Sequence, residues 1–125
     1  MKTIEDLKSL NVNKYYGLLF EVRNRTHNFH LKTKSYAEHI ALNEFYSGII
    51  DYADEFIETY QGQYGLIEMD DSKKIEQENS IKYLTEFVEK TVKFNETLKD
   101  SHLKNIIDEI TSLTYKTLYK LKHLK

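Results

Sequence analysis

Apolar residues recur three and four positions apart along nearly the whole chain, the spacing that puts them on one face of a helix. Ile4, Leu7, Tyr15, Leu18, Val22 and Phe29 follow it, which predicts a first helix over about 3–31, with Thr3 as N-cap and Glu5 and Asp6 in the first turn, where the helix dipole favours negative charge. Lys32-Thr33-Lys34 reads as a short corner. Ser35-Tyr36-Ala37-Glu38 then matches the S-x-x-E capping box, in which hydroxyl and carboxylate each satisfy an orphan backbone N–H. The second helix is expected over 36–60, with Leu42, Phe45, Tyr46, Ile49, Ala53, Phe56, Ile57 and Tyr60 on its core face and the glycines at 62 and 65 ending it. Ile81, Leu84, Val88, Val92 and Leu98 mark a third helix, over 73–98 with its start between 72 and 80. Leu103, Ile106, Ile107, Ile110, Leu113, Leu118 and Leu121 mark a fourth, over 101–123.

Two long helical hairpins result, joined by a longer connection, so the expected fold is all-α, a single four-helix bundle over 1–125. The reach of 62–72 permits either an up-down-up-down bundle or one whose middle connection crosses its whole length.

Composition sharpens this picture. There is no proline and there are only four glycines, so the punctuation of sheet proteins is missing. With no cysteine, the strong metal ligands are His, Asp and Glu, and a cytoplasmic location is expected. No apolar run approaches the roughly 20 residues that cross a bilayer. A net charge of −2 gives the chain no overall footprint for nucleic acid. The one basic stretch, 116–125, is what the dipole alone favours at a helix C-terminus, so neither a membrane nor DNA is an expected partner.

The second helix carries more apolar surface than one stripe requires. Tyr36, Ile40 and Ile50 lie beyond its core face, among His39, Asn43, Ser47, Asp54 and Glu58. A second mixed stripe points to a subunit interface and hence a homo-oligomer. Asp54 and Glu58 stack at i and i+4, where both can reach one ion. His39 lies about 22 Å along the helix from Asp54, too far to share that ion within a chain. Two such helices antiparallel about a two-fold axis near Ser47 bring His39 of one against Asp54 and Glu58 of the other. This makes two equivalent sites per dimer. His30, one corner away, can lean into the same site.

Asn28-Phe29-His30, His39, Phe45-Tyr46, Asp54 and Glu58 together resemble the N-W-H…H…D-x-x-x-E pattern of the Dps family of ferritin-like proteins, most closely across 28–65. Ser35-Tyr36-Ala37-Glu38-His39 and the run from Tyr60 to Gly65 also resemble small Dps-like proteins of tailed phages. The resemblance implies a ferritin-like bundle and a dodecameric shell. It further implies an inter-subunit ferroxidase site built from His30 and His39 of one chain and Asp54 and Glu58 of its mate. Iron, or another divalent metal, is the implied ion, oxidised by peroxide or dioxygen. Asn43 stands where many members carry a further acid, His30 and His39 are closer in sequence than is usual, and the family's lysine-rich tail is absent. The alternative is a non-enzymatic bundle that sequesters a small signalling nucleotide or binds a host protein, with no working metal site. In the nucleotide case, bases would stack on Tyr15, Tyr16, Tyr36, Tyr52 or Tyr64 and phosphate would meet Arg23, Arg25, Lys32 or Lys34.

Overall fold

Asn11 opens the first helix by accepting a hydrogen bond from Lys14 N through its side chain at 2.9 Å. In the computed structural model, which describes residues 10–71 and 74–125, four helices follow: α1 (Val12–Lys32), α2 (Tyr36–Tyr64), α3 (Ser80–Glu96) and α4 (Ser101–His123). No strand occurs among the described residues. The expected N-cap at Thr3 and the first turns after it lie outside them.

Each boundary that departs from expectation has a local cause. α1 starts at Val12 because Asn11 is a good cap. α2 runs through Gly62 to Tyr64, where Gly65, at φ 97°, takes a conformation other residues adopt only under strain. The third helix, whose start is expected between 72 and 80, begins at the far end of that range, at Ser80, where the Asn79 side chain caps Lys82 N at 3.0 Å. Half of the capping box forms: Ser35 Oγ accepts from Glu38 N at 3.2 Å, whereas the Glu38 carboxylate turns away and accepts from Ser80 Oγ at 3.2 Å.

Contacts at the helix ends set the direction of each element. His30 meets His39, so α1 and α2 are antiparallel. Gln63 meets Asp100 while Lys120 meets Glu44, so α2 and α4 are antiparallel. Tyr15 stacks on Phe94 and Phe29 meets Tyr83, so α1 and α3 are antiparallel. α2 and α3, consecutive in the chain, lie across the diagonal and meet through side chains such as Phe45 and Phe87. Because the Glu38–Ser80 bond places the start of α3 beside the start of α2, residues 65–79 must travel the full length of the bundle. The second of the two expected topologies is therefore the one found.

That connection lies along α1. Asp70 N donates to Asn13 O at 3.0 Å near one end. Near the other, the Arg25 guanidinium donates to Ile75 O at 3.3 Å and Gln77 O at 2.6 Å and lies over the rings of Phe29 and Tyr83.

The core holds most of the predicted residues of α2 and α4, among them Leu42, Phe45, Phe56, Leu103, Ile107 and Ile110. The stripe on α3 is rotated from expectation: Tyr83, Phe87, Thr91 and Phe94 are buried with Leu84 and Val88, and Val92 is exposed. Buried polar side chains among the described residues are threonines, Ser80 and His30. The Glu21 carboxylate is nearly buried too, with Oε1 enclosed and Oε2 accepting from the Tyr83 hydroxyl and Ile75 N.

Candidate metal centre

His30 ends the buried stripe of α1 and His39 lies in the first turns of α2, so the three-residue corner brings the two imidazoles together. Their rings stack at 3.6 Å between centroids and 19° between planes. His30 Nδ1 lies 2.7 Å from His39 O, and His39 Nδ1 lies 2.9 Å from His30 O. A carbonyl oxygen only accepts, so each Nδ1 must carry the proton. In the neutral rings the lone pair is therefore on both Nε2 atoms, neither of which has a hydrogen-bond partner among the described residues. Backbone carbonyls that fix the tautomer and hold the ring in this way are the usual support of metal-binding histidines. Sequence spacing brings His30 close to His39 but does not reveal this reciprocal bonding, which depends on the path of the corner.

Further aromatic groups surround the pair. Tyr46, expected in the core, instead stands outside it. His27 stacks on its ring at 4.3 Å, its edge meets His30 at 5.2 Å, and Arg23 lies 5.9 Å from its centroid. Its hydroxyl donates to Asn43 Oδ1 at 2.8 Å, so Asn43 is already engaged. A hint of this clustering lies in the i, i+3 spacing of His27 and His30.

Asp54 and Glu58 are exposed on the outer face of α2, and no hydrogen bond or ion pair ties either carboxylate to the described residues. Both line a cleft of about 300 Å³ against α1 with Tyr16, Phe20 and Gln61. Asp54 also lines a neighbouring cleft of about 280 Å³ with Phe20, Arg23 and Ile50. Phe20 is 49% exposed, Ile40 39% and Ile50 38%, so the face between the histidines and the carboxylates is partly apolar. Among the described residues no three His, Asp or Glu converge within one chain. The four predicted ligands thus form two groups, the imidazole pair near one end of α2 and the carboxylates toward the other.

Several residues named for a nucleotide are committed elsewhere. Tyr15 is fully buried, stacked on Phe94 and hydrogen-bonded to Thr91 at 3.1 Å, and burial pushes its hydroxyl's pKa well above the usual phenol range. Arg25 is spent on the crossing connection. Tyr64 donates to Asp100, which raises the Tyr64 pKa and holds the Asp100 carboxyl below its ordinary value. Tyr52 packs against the core. No helix among the described residues is long and apolar enough to cross a membrane.

With this geometry in view, the comparisons with known proteins place the chain. It belongs to a family of unknown function, DUF5856, whose model matches residues 30–121 and so spans all four candidate ligands. No Dps or ferritin family model matches the chain, so the likeness to Dps rests on the residues quoted for it. The chain is also similar to an uncharacterised 14.6 kDa protein from the mobD-ri intergenic region of Enterobacteria phage T4. The two are 28% identical over 117 residues, covering 91% of this chain and 90% of the phage protein. No solved structure matches the chain.

Proposed function

We propose that this member of the DUF5856 family is a ferritin-like metal-binding protein that takes a divalent first-row ion, Fe(II) foremost, between two copies paired through α2. The observation that carries the reading is the stacked His30–His39 pair, with both Nδ1 protons held on backbone carbonyls and both Nε2 lone pairs left for a ligand. Antiparallel pairing about Ser47 brings His39 of that pair against the unpaired carboxylates of Asp54 and Glu58 from the second copy, and His30 joins the same ion when the two face-to-face rings turn apart. Two imidazoles and two carboxylates suit Fe(II) or Zn(II), and carboxylate oxygens favour Fe(III) once the ion is oxidised. The crossing connection also supports a ferritin-like bundle, because a long traverse between two antiparallel hairpins is the mark of that architecture.

In this reading iron is the substrate, and dioxygen or peroxide accepts its electrons. The chain's own groups bind and orient. His30 and His39 supply neutral nitrogen donors, Asp54 and Glu58 neutralise the ion's charge, and the aromatic wall of Tyr46 and His27 shields the imidazoles on one side.

Anaerobic Fe(II) titration followed by native mass spectrometry tests the proposal. The expected result is two ions per dimer in the wild type and none in Asp54→Ala/Glu58→Ala, whose helical spectrum is unchanged. Iron-dependent peroxide consumption should fall by at least tenfold in the same variant. Undiminished iron uptake in that variant, or none in the wild type, would overturn the assignment.

The nucleotide-sequestering alternative keeps one favourable observation, the cleft in which Phe20 and Arg23 lie side by side. Retention of an added nucleotide in the same native spectra, lost in Arg23→Ala, would support it.

A further inference from the structure

Charge is unevenly placed along this chain. α2 carries six carboxylates and no lysine or arginine, whereas no acidic side chain follows Glu109 and lysines stand at 116, 120, 122 and 125. The net charge of −2 averages over the two. Lys120 is engaged by Glu44, but Lys116, Lys122 and Lys125 have no ion-pair partner among the described residues.

The helix dipole accounts for lysines at this end of α4. It does not account for the rings among them. Tyr115 is 54% exposed and Tyr119 57%, and the His123 ring lies against Tyr119 at 5.6 Å between centroids and 39° between planes. Spaced four residues apart, the three rings share the outer face of α4 and rise about 6 Å at each step. The opposite face is the one that packs, with Ile110, Thr114, Thr117 and Leu118 buried, so the outer rings are not needed for the core.

Rings with open faces, interleaved with unpaired ammonium groups, supply both contacts that hold a single nucleic-acid strand: bases stack on the rings and lysines meet the phosphates. A duplex keeps its base faces covered and an acidic peptide has none, so either would use the lysines alone. Two further groups favour RNA over DNA. Ser112, one turn before Tyr115, and His123 are exposed on the same face and make no hydrogen bond through their side chains among the described residues. A hydroxyl and a neutral imidazole nitrogen each accept from a ribose 2′-hydroxyl, a donor that DNA lacks.

We infer that the outer face of the C-terminal half of α4 binds single-stranded RNA, with Tyr115, Tyr119 and His123 stacking on bases and Lys116, Lys122 and Lys125 on phosphates. None of the four candidate metal ligands takes part, so the inference stands apart from the metal-binding reading.

Fluorescence anisotropy of a labelled oligouridylate of about 12 nucleotides, within the usual site size for a single strand, titrated with the whole chelator-treated chain, tests it. The expected result is saturable binding at low salt, with log Kd rising against log salt at a slope of about 2 for three phosphate contacts. Tyr115→Ala/Tyr119→Ala should weaken binding at least tenfold, whereas Tyr115→Phe/Tyr119→Phe, which keeps the rings, should stay within twofold. Lys116→Gln/Lys122→Gln should lower the slope by about 0.7 for each lysine removed. The matching oligodeoxyuridylate should bind at least threefold more weakly, a difference that Ser112→Ala/His123→Phe should erase. No binding by the wild type, or undiminished binding by the alanine pair, would overturn the inference. So would duplex RNA binding as tightly as the single strand, or polyglutamate displacing it charge for charge, since the lysines alone would then account for the affinity. Deoxyuridylate bound as tightly as uridylate would overturn the assignment to RNA.

Discussion

Gly17 shows how much one atom decides in this protein. A Cβ built on it would lie 2.0 Å from the backbone oxygen of Asp70 and 2.6 Å from its carbonyl carbon, so the crossing connection rests directly on the helix backbone. Glycine inside a helix ordinarily costs about 1 kcal/mol relative to alanine. By helix propensity alone, replacing it would stabilise the protein. Gly17→Ala is expected to lower stability by about 1–3 kcal/mol, because backbone on both sides must shift; a rise in midpoint in thermal or urea unfolding would contradict the close approach. At the same end of the bundle, Asp100 accepts from Tyr64 and Gln63, and these bonds hold its carboxyl below the ordinary value. A group depressed by folding adds stability that is present above the unfolded pKa, near 3.9, and is lost as pH falls through the folded value. Tyr64→Phe should move the Asp100 titration back up toward that of an ordinary carboxylate in carboxyl NMR.

The helices themselves were legible where one face is wholly buried. The core positions of α2 and α4 follow the apolar spacing almost residue for residue, because burial is what that spacing encodes. The apolar spacing describes α3 less well. Its sequence offers apolar or aromatic groups around more of its circumference, and packing selected Tyr83, Phe87 and Phe94 over Val92. The capping box at the start of α2 was half legible for a related reason: Ser35 caps locally, but Glu38 found a partner 42 residues away in Ser80. Local pattern says nothing of such partners. The tie can be measured. A double-mutant cycle on Glu38→Ala and Ser80→Ala should return a coupling of about 0.5–1.5 kcal/mol in urea unfolding, and the Ser35→Ala/Glu38→Ala pair should be nearly additive. Strong coupling in the second cycle with none in the first would restore the full capping box. The candidate site divides along the same line. That His39 and the Asp54–Glu58 turn stand too far apart to share an ion followed from helical rise, whereas the reciprocal imidazole–carbonyl bonds depend on the exact path of 33–35.

For the molecule as a whole, the decisive element is the stretch with the least pattern. Residues 65–79 have no helical period, yet their path distinguishes this bundle from a simple up-and-down one. Contacts about fifty residues apart in sequence hold that path: Arg25 to the carbonyls of Ile75 and Gln77, and Glu21 to Ile75 N at 3.5 Å and to the Tyr83 hydroxyl. Burial, with the hydrogen bond to Glu21 added to it, pushes the Tyr83 hydroxyl's pKa far above the ordinary phenol range, so the hydroxyl stays protonated and remains a donor at any working pH. Arg25 reaches both carbonyls through a planar fork and lies over two rings, a combination lysine cannot reproduce. Arg25→Lys should therefore release the traverse while leaving the helices packed, because the core residues Leu42, Phe45 and Ile107 do not depend on it. Native-state hydrogen exchange reads the difference. The amides of Asp70 and Ile75 are expected to exchange at least tenfold faster in Arg25→Lys, with the amides of central α2 and α4 unchanged. If all of these amides accelerate together, the traverse does not open on its own, and the bundle and its crossing segment unfold as one unit.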